Sequence, residues 1–311
     1  MSLSTRGALP FWYSWWIMIA LFAFFLMATE PGRAEADALF NAGRYQQAAK
    51  SYLTLLSKSE GDAALLDSLG QSLLETGQPR AAISFFQREV ALNPNDRNAL
   101  RFLATALQEA NLTDDAERLL TQLTVSDPAD AESWYLLAQV RYRNGYYSAA
   151  IDDFDRALSV GLDGGRRHYK ARAEITRAIS LLEAGRAAEA EKALPQLLLR
   201  PENAVNLDLL LAYARLLYEE GNYGEAMREA EIATAANPMN ASAWFWRARI
   251  LQAQGQIPGA VADAERSRDL APDSPAPRSL LIRLYQKTGR TADAAREAIW
   301  LREREAQAAA P

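Results

Sequence analysis

The sequence predicts an all-α protein, a solenoid of about eight helix-turn-helix repeats preceded by an N-terminal hydrophobic helix. Three observations predict this fold. A pattern of Gly, then Ala five residues later, then Phe, Tyr or Ala four residues beyond recurs along the 311-residue chain. Glycines and prolines also recur 34 residues apart, which is the mark of a repeat array. The third observation is an almost uninterrupted run of apolar residues near the N-terminus.

The recurring pattern sets the boundaries of the repeats. The glycines that open it are Gly43, Gly77, Gly145, Gly221, Gly255 and Gly289. We place the starts of eight copies near residues 29, 63, 97, 131, 171, 207, 241 and 275. The predicted domains are therefore an N-terminal membrane anchor or signal peptide over residues 1–36, a solenoid over residues 37–308, and a tail over residues 309–311.

Residues 11–28 form the hydrophobic run, in which only Ser14 is polar. A helix of this length reaches about 27 Å, close to the roughly 30 Å hydrocarbon core of a bilayer. Two interpretations are open. An uncleaved membrane anchor is favoured by the aromatic residues clustered at one end of the run, and the alternative is a signal peptide cleaved near Ala36. Both place the rest of the chain outside the cytoplasm.

Charge and cysteine content exclude several classes of function. The chain has 34 basic and 39 acidic residues, for a net charge of −5. A general nucleic-acid binder carries a basic surplus, so we expect no nucleic-acid partner. The absence of cysteine from the sequence excludes disulfide bonds, thiolate catalysis and Cys-ligated zinc.

The fourth copy shows most clearly why a helix pair is predicted. Trp134, Leu137, Ala138 and Arg141 are spaced by three, one and three residues, so they share one face of a first helix. The Asn-Gly pair that ends at Gly145 then breaks this helix, because glycine readily adopts a left-handed turn.

The second helix of this copy carries a matching face. Ala150, Phe154 and Ala157 lie on one side of it, at spacings of four and three. The small Ala150 marks the point where the two helices approach closely, and Phe154 fills the space beyond. The acidic residues of this helix are expected to be solvated, namely Asp152, Asp153 and Asp155.

These residues resemble the tetratricopeptide repeat family, whose 34-residue pattern contains a Trp, a Leu-Gly or Leu-Ala pair, a Tyr, an Ala, a Phe and a closing Pro. The second copy matches with Leu66, Leu69, Gly70, Leu73, Gly77, Ala82, Phe86 and Pro94. The seventh matches with Trp244, Ala248, Leu251, Gly255, Ala260, Ala264 and Pro272. The resemblance covers almost everything after residue 36. It implies a right-handed solenoid in which the first helix of each copy lines a concave surface.

Three departures from the family pattern mark local irregularities. The first copy lacks a proper first helix, because residues 29–33 are assigned to the stalk of the anchor. Six residues are added between the fourth and fifth copies, around residues 161–170. Arg141, Arg177 and Arg247 stand where the pattern usually has Tyr or an apolar residue. We expect these arginines either to loosen the core or to extend to its edge.

No catalytic constellation is found, so we predict that the protein is not an enzyme and uses no metal and no cofactor. His168 is the only histidine, which excludes metal sites built from histidine pairs. It lies in a basic segment with two interpretations. One is an exposed loop or helix start, and the other is an anion contact formed by Arg166, Arg167, His168 and Lys170.

A strip beside the packing face of each first helix is predicted to face the concave groove. In the fourth copy this strip lies one residue further round the helix than the packing residues. Arginine and aromatic residues recur on it, and both are enriched at binding hot spots. The alternative is an ordinary surface strip. The predicted groove residues are Arg101, Tyr135, Gln139, Tyr142, Arg215, Tyr218, Phe245, Arg249 and Arg283.

The predicted function is a non-catalytic scaffold for protein–protein interaction on the extracytoplasmic side of the membrane. It is expected to bind a peptide segment in the concave groove. The expected partners are another protein or peptide segment, and the membrane through residues 11–28. The alternative is a structural or tethering subunit of an envelope assembly, which acts through self-association or through its convex face.

Overall fold

The computed structural model describes residues 32–162 and 167–308, and every regular element within them is a helix. This confirms the all-α prediction. The predicted hydrophobic helix at residues 11–28 and the tail at residues 309–311 lie outside the described residues. Within the described ranges, no helix has both the length and the apolar character needed to cross a bilayer.

The described part of the chain contains sixteen α-helices and one short 3₁₀ helix, Pro201–Asn203. The α-helices are α1 (Arg33–Asn41), α2 (Tyr45–Leu56), α3 (Ala63–Glu75), α4 (Pro79–Leu92), α5 (Arg97–Glu109), α6 (Thr113–Ser126), α7 (Ala131–Arg143), α8 (Tyr147–Val160), α9 (Arg167–Glu183), α10 (Ala187–Leu198), α11 (Leu207–Glu219), α12 (Tyr223–Ala236), α13 (Ala241–Ala253), α14 (Ile257–Leu270), α15 (Pro275–Lys287) and α16 (Thr291–Ala308). Odd-numbered helices are the first helices of the pairs. The chain divides into two compact units between Pro128 and Ala129, with α1 to α6 in the first unit and α7 to α16 in the second.

Side-chain caps and left-handed turns explain where the helices begin and end. Before two of the first helices, Asp62 and Asn240 accept hydrogen bonds from the backbone N–H three residues later, at 3.1 and 2.9 Å. Such caps satisfy donors that the first turn of a helix leaves unpaired. Within the pairs, the chain turns at a residue with positive φ, 79° at Gly145. The third copy uses Asn111 instead, with φ of 65°, because asparagine tolerates this conformation better than most residues.

The predicted packing residues form the contact between the two helices of a pair. Ala150 and Phe154 of α8 are fully buried, which confirms their assignment to the scaffold. In the second copy, a Cβ added to Gly70 would lie 2.6 Å from ring atoms of Phe86. The small residues of the repeat therefore permit the helices to approach closely.

The first copy has a first helix, so the prediction that it lacks one is wrong. This helix, α1, has nine residues and packs on α2. Ala36 is fully buried, and Leu39 and Phe40 pack against the same apolar cluster. These three side chains supply the apolar face that the prediction did not recognise. Because Ala36 lies inside α1, cleavage next to it would divide this helix.

The six added residues lengthen a first helix. With 17 residues, α9 is longer than α7, α11, α13 and α15, which have 13 each. The additional turn is at its N-terminal end and carries His168 and Tyr169. The insertion therefore places new side chains next to the preceding first helix, α7.

Buried carboxylates bind two of the arginines that stand where the pattern has Tyr or an apolar residue. The guanidinium of Arg141 donates to both oxygens of Asp153, at 3.1 and 2.8 Å. That of Arg247 donates to both oxygens of Asp263, at 2.6 and 2.8 Å. Asp153 is 4% exposed, so the prediction that it is solvated is wrong. The other acidic residues of α8 are exposed, as predicted: Asp152 and Asp155.

One carboxyl group of the first unit is buried with an unsatisfied oxygen. Glu89 of α4 is 5% exposed, and its Oε2 atom has no hydrogen-bond partner among the described residues. Burial, followed by the negative charges of Asp67 and Asp96, raises the pKa of Glu89 to about 7. Over the interval between its ordinary pKa and this value, the folded unit holds a proton that the unfolded chain releases.

Glu89 is expected to make the first unit less stable as the pH rises from about 4.5 to about 7. Its folded pKa lies above the ordinary value of 4.5, so its contribution is complete below that pH and is lost above about 7. Glu89→Gln should remove this dependence and stabilise the unit at alkaline pH by about 1–3 kcal/mol. Denaturation at acidic and alkaline pH checks the prediction, with the exposed Glu75→Gln as control. Identical pH profiles for Glu89→Gln and the native chain would contradict it.

Candidate functional site

The second unit contains a groove that crosses four first helices, α7, α9, α11 and α13, and has a volume of about 320 Å³. The residues that line it are Tyr142, Ile175, Thr176, Ile179, Leu182, Glu183, Asp208, Leu211, Ala212, Arg215 and Trp246. Because the repeat places corresponding residues on the same side of successive first helices, these side chains meet at one surface.

Aliphatic side chains supply the apolar part of the groove. Ile175 and Ile179 lie one turn apart on α9, and Leu211 lies on α11. All three are half-buried, so a ligand that covers them removes further apolar area from water. Each 100 Å² of such area contributes about 2.5 kcal/mol before the costs of binding are subtracted. This part of the groove therefore favours an apolar side chain of a ligand.

A charged cluster borders the apolar part. The Nη1 atom of Arg215 donates to Glu183 at 2.6 Å, and its Nε atom donates to Glu219 at 3.0 Å. Burial opposes the charge of Arg215, but the two carboxylates outweigh this effect and raise the pKa of Arg215. Burial and then the negative charge of Glu183 raise the pKa of Tyr142, so the Tyr142 hydroxyl stays protonated. The exposed carboxylate of Asp208 adds to the acidic character of this side.

Aromatic rings surround another arginine beside the groove. The Cζ atom of Arg249 lies 4.6 Å from the ring centroid of Tyr218 and 4.5 Å from that of Trp246, which lines the groove. The ring of Phe245 is 5.9 Å away. The electron-rich faces of aromatic rings attract a guanidinium, so these rings hold the Arg249 side chain in place.

Models of one protein family match most of the described chain. Tetratricopeptide repeat (TPR) models match residues 33–97, 73–140, 131–160, 175–231 and 211–275. The chain belongs to the tetratricopeptide repeat family. The helix pairs described above are therefore TPR units, as the resemblance of the sequence implied.

One solved TPR structure and two curated proteins are among those similar to this chain. A crystal structure of a TPR protein from Parabacteroides merdae has a TM-score of 0.62 at 21% identity and covers 81% of this chain and 96% of that chain. The human Protein O-mannosyl-transferase TMTC1 is 23% identical over 213 residues, which are 68% of this chain and 20% of that protein. The Vi polysaccharide export protein VexE of Salmonella typhi is 28% identical over 178 residues, which are 55% of this chain and 26% of that protein. The matched region thus spans about a fifth to a quarter of these two relatives.

The TPR groove contains part of the predicted strip. Tyr142 and Arg215 line it. Tyr218, Phe245 and Arg249 form the aromatic cluster with Trp246 beside it. The structure therefore brings these five predicted residues, from α7, α11 and α13, into one neighbourhood.

Three other predicted residues are not among those that line the groove. Arg101 belongs to the first unit, where its guanidinium donates to the side chain of Asn98 at 2.6 Å. Arg283 is exposed on α15. Gln139 is half-buried on α7, and its side-chain amide donates to the hydroxyl of Tyr135.

Tyr135 lies in the core and does not face the groove, contrary to the prediction. It is 1% exposed, its ring stacks on Tyr169 at 4.5 Å, and it packs against Phe154 at 6.2 Å between centroids. Burial raises the pKa of Tyr135 to about 12. Tyr169 belongs to the additional turn of α9, so the insertion covers a position that an ordinary repeat would leave open.

Several residues of the groove were not predicted. Ile175 and Ile179 occupy, in the fifth repeat, the positions of Tyr135 and Gln139 in the fourth. The strip rule would therefore have identified these isoleucines if it had been applied to the fifth repeat. The same rule would not have identified Trp246, because this residue lines the groove but directly follows the strip residue Phe245 in the sequence.

The basic segment lies at the start of α9. Arg166 lies outside the described residues, and Arg167 is the first residue of the helix. His168 and Lys170 are exposed on the first turn, and the His168 ring meets Tyr169 edge-on at 4.6 Å between centroids. The anion contact of this segment stays a prediction. In the described ranges, no group of three or more His, Cys, Asp or Glu residues is placed to hold a metal ion.

Proposed function

We propose that this TPR protein is a non-catalytic scaffold that binds an extended segment of a partner protein in the groove of its second unit. The observation that carries the proposal is the groove, in which half-buried aliphatic side chains are bordered by a charged cluster and an aromatic cluster. Apolar surface combined with a few fixed polar groups is typical of binding sites. Four helices at packing distances of about 8–10 Å span roughly 24–30 Å, the length of about seven to nine extended residues.

The polar groups of the groove support recognition rather than catalysis. Arg215 is bound by Glu183 and Glu219, and the Tyr142 hydroxyl stays protonated. These groups can orient a ligand through hydrogen bonds, and neither the charged guanidinium of Arg215 nor the protonated hydroxyl of Tyr142 accepts a proton near neutral pH. The sequence adds only one histidine and no cysteine, and its net charge of −5 does not favour a nucleic-acid partner.

We further propose that the scaffold acts on the extracytoplasmic side of a membrane. The support is the apolar run at residues 11–28, which is long enough to cross a bilayer. In this proposal the run either anchors the chain or is removed as a signal peptide near Ala36.

Photocrosslinking in cells that produce the full chain tests both proposals. A benzoylphenylalanine replaces either Thr176, which lines the groove, or Leu199, which is 83% exposed outside it. A partner held in the groove should give a crosslinked product from position 176 and none from position 199. Protease added to spheroplasts, which lack the outer layers of the envelope, should degrade the crosslinked product, because the product should lie on the extracytoplasmic side.

The structural-subunit alternative predicts a different result. An exposed apolar residue such as Leu199 suits self-association, so a product from position 199 alone with the mass of a dimer would favour that alternative. A product from position 176 that resists external protease would leave groove binding in place but contradict the extracytoplasmic location.

A further inference from the structure

One cation beside the groove has no carboxylate partner in the described part of the chain. The guanidinium of Arg249 is half-buried against the rings of Tyr218 and Trp246. No described carboxylate oxygen lies within 4.0 Å of it. The rings fix the position of the side chain, while its N–H donors are left for water or a ligand. A partly buried cation with free donors is a favourable place for an anion to bind.

The other arginines that stack on aromatic rings in the described part of the second unit differ from Arg249, because they also bind carboxylates. Arg247 lies on Trp244, Arg278 and Arg304 lie on Trp300, and Arg290 lies on Tyr285. Each of these four arginines also binds a carboxylate of the chain: Arg247 binds Asp263, Arg278 binds Glu297, Arg290 binds Asp293, and Arg304 binds Asp273. Among the described residues, an acidic partner thus accompanies each of these four stacked arginines but not Arg249.

The repeat register gives the groove a direction of charge. Arg249 occupies the same position of its TPR unit as Arg215 and Arg283, each 34 residues away. Arg215 is already bound by Glu183 and Glu219, whereas Arg283 is exposed on the next first helix. The groove is therefore acidic toward α9 and α11 and basic toward α13.

We propose that Arg249 is the receptor for an acidic side chain of the partner segment. An Asp or Glu of the segment pairs with the edge of the Arg249 guanidinium, and an adjacent large apolar side chain packs on Ile179, Leu211 and Trp246. This inference rests on the proposed function, because it describes the ligand of the same groove.

The geometry makes such a pair stronger than one on an open surface. Arg249 is already held by aromatic rings, so little side-chain entropy is lost when an anion binds. The guanidinium is also partly removed from water, which reduces the screening of its charge. The charge direction of the groove then orients the segment, with its acidic residue toward α13.

Selection from a phage-displayed library of random peptides tests the inference. The full chain in detergent and Arg249→Gln are used in parallel as targets, with peptides of about twelve residues, longer than the groove. Peptides selected on the native chain should share an Asp or Glu beside a large apolar residue. This acidic preference should be absent from peptides selected on Arg249→Gln.

Titration of the labelled consensus peptide measures the contribution of the pair. Arg249→Gln should weaken binding by about tenfold or more. Arg228→Gln, an exposed arginine of α12, should leave binding unchanged. A peptide with Lys in place of its acidic residue should fail to bind the native chain and should bind Arg249→Glu. Arg249→Lys, which keeps the charge, should retain part of the acidic preference, and thermal melts establish that each variant is folded.

The outcomes separate this inference from the proposed function. A consensus without an acidic residue, or equal affinities of the native chain and Arg249→Gln, overturns the inference alone, provided that Ile179→Glu abolishes binding. If no selected peptide loses binding to Ile179→Glu, groove binding itself is overturned, and the inference with it.

Discussion

Replacing Arg247 by methionine is expected to lower the free energy of unfolding by about 3–5 kcal/mol. The guanidinium of Arg247 binds both oxygens of Asp263, whose side chain is only 9% exposed. Methionine leaves that carboxylate buried without a cation, and the desolvation cost of the charge is then uncompensated. The loss of the contact between Arg247 and the ring of Trp244, at 4.3 Å, adds to the effect. Chemical denaturation of the full chain measures the change.

Two variants control this experiment. Arg228→Met removes an arginine whose side chain is 67% exposed, and it should change stability by less than about 0.5 kcal/mol. The double variant Arg247→Met with Asp263→Leu should recover most of the loss, because neither charge then remains buried. Equal denaturation midpoints for Arg247→Met and the native chain would show that the pair does not stabilise the repeat.

Truncating Tyr135 to alanine is expected to cost about 3–5 kcal/mol, as removal of a large buried aromatic side chain does. Its ring fills the space between Phe154 of its own repeat and Tyr169 of the insertion, and it is 1% exposed. Tyr135→Phe keeps the ring and loses only the hydroxyl that accepts a hydrogen bond from Gln139. That change should cost about 1 kcal/mol. Thermal and chemical denaturation check both values.

Tyr146→Ala is the matched control, since this tyrosine is 58% exposed on the same repeat. It should change stability by less than about 0.5 kcal/mol. If Tyr135→Ala melts like the native chain but binds the partner more weakly, Tyr135 belongs to the groove after all and its assignment to the core is wrong.

The helix pairs were predictable because local chemistry repeats in every copy. A glycine or asparagine takes the left-handed turn between the helices, and small residues such as Ala150 permit their close contact. These requirements depend on residues only a few positions apart, so the sequence pattern reports them directly. They led to the correct assignment of Phe154 to the core.

The position of Tyr135 was not predictable from its own repeat. Its burial depends on Tyr169, which reaches it only because the insertion extends α9 by an additional turn. The burial of Asp153 likewise depends on Arg141 of the partner helix, at 2.8 Å. A rule based on the faces of one helix cannot predict a contact that a residue of another helix makes.

The groove was predicted in part for the same reason. Tyr142, Arg215 and Arg249 follow from the strip of one helix, and the structure places them in or beside the groove. The aromatic contact that holds Arg249 joins α11 to α13, so it appears only when the repeats are stacked. The Arg215–Glu183 pair similarly joins α9 to α11.

Binding of the partner segment to Leu211→Glu is the most direct test of the groove. Leu211 is half-buried in the groove, and Ile232→Glu is the matched control because Ile232 is 41% exposed on α12, outside the groove. The segment identified by crosslinking is titrated against both variants, and thermal melts establish that they are folded. Groove binding predicts a Kd at least about tenfold higher for Leu211→Glu and an unchanged Kd for Ile232→Glu. An unchanged Kd for a folded Leu211→Glu would contradict the proposed function.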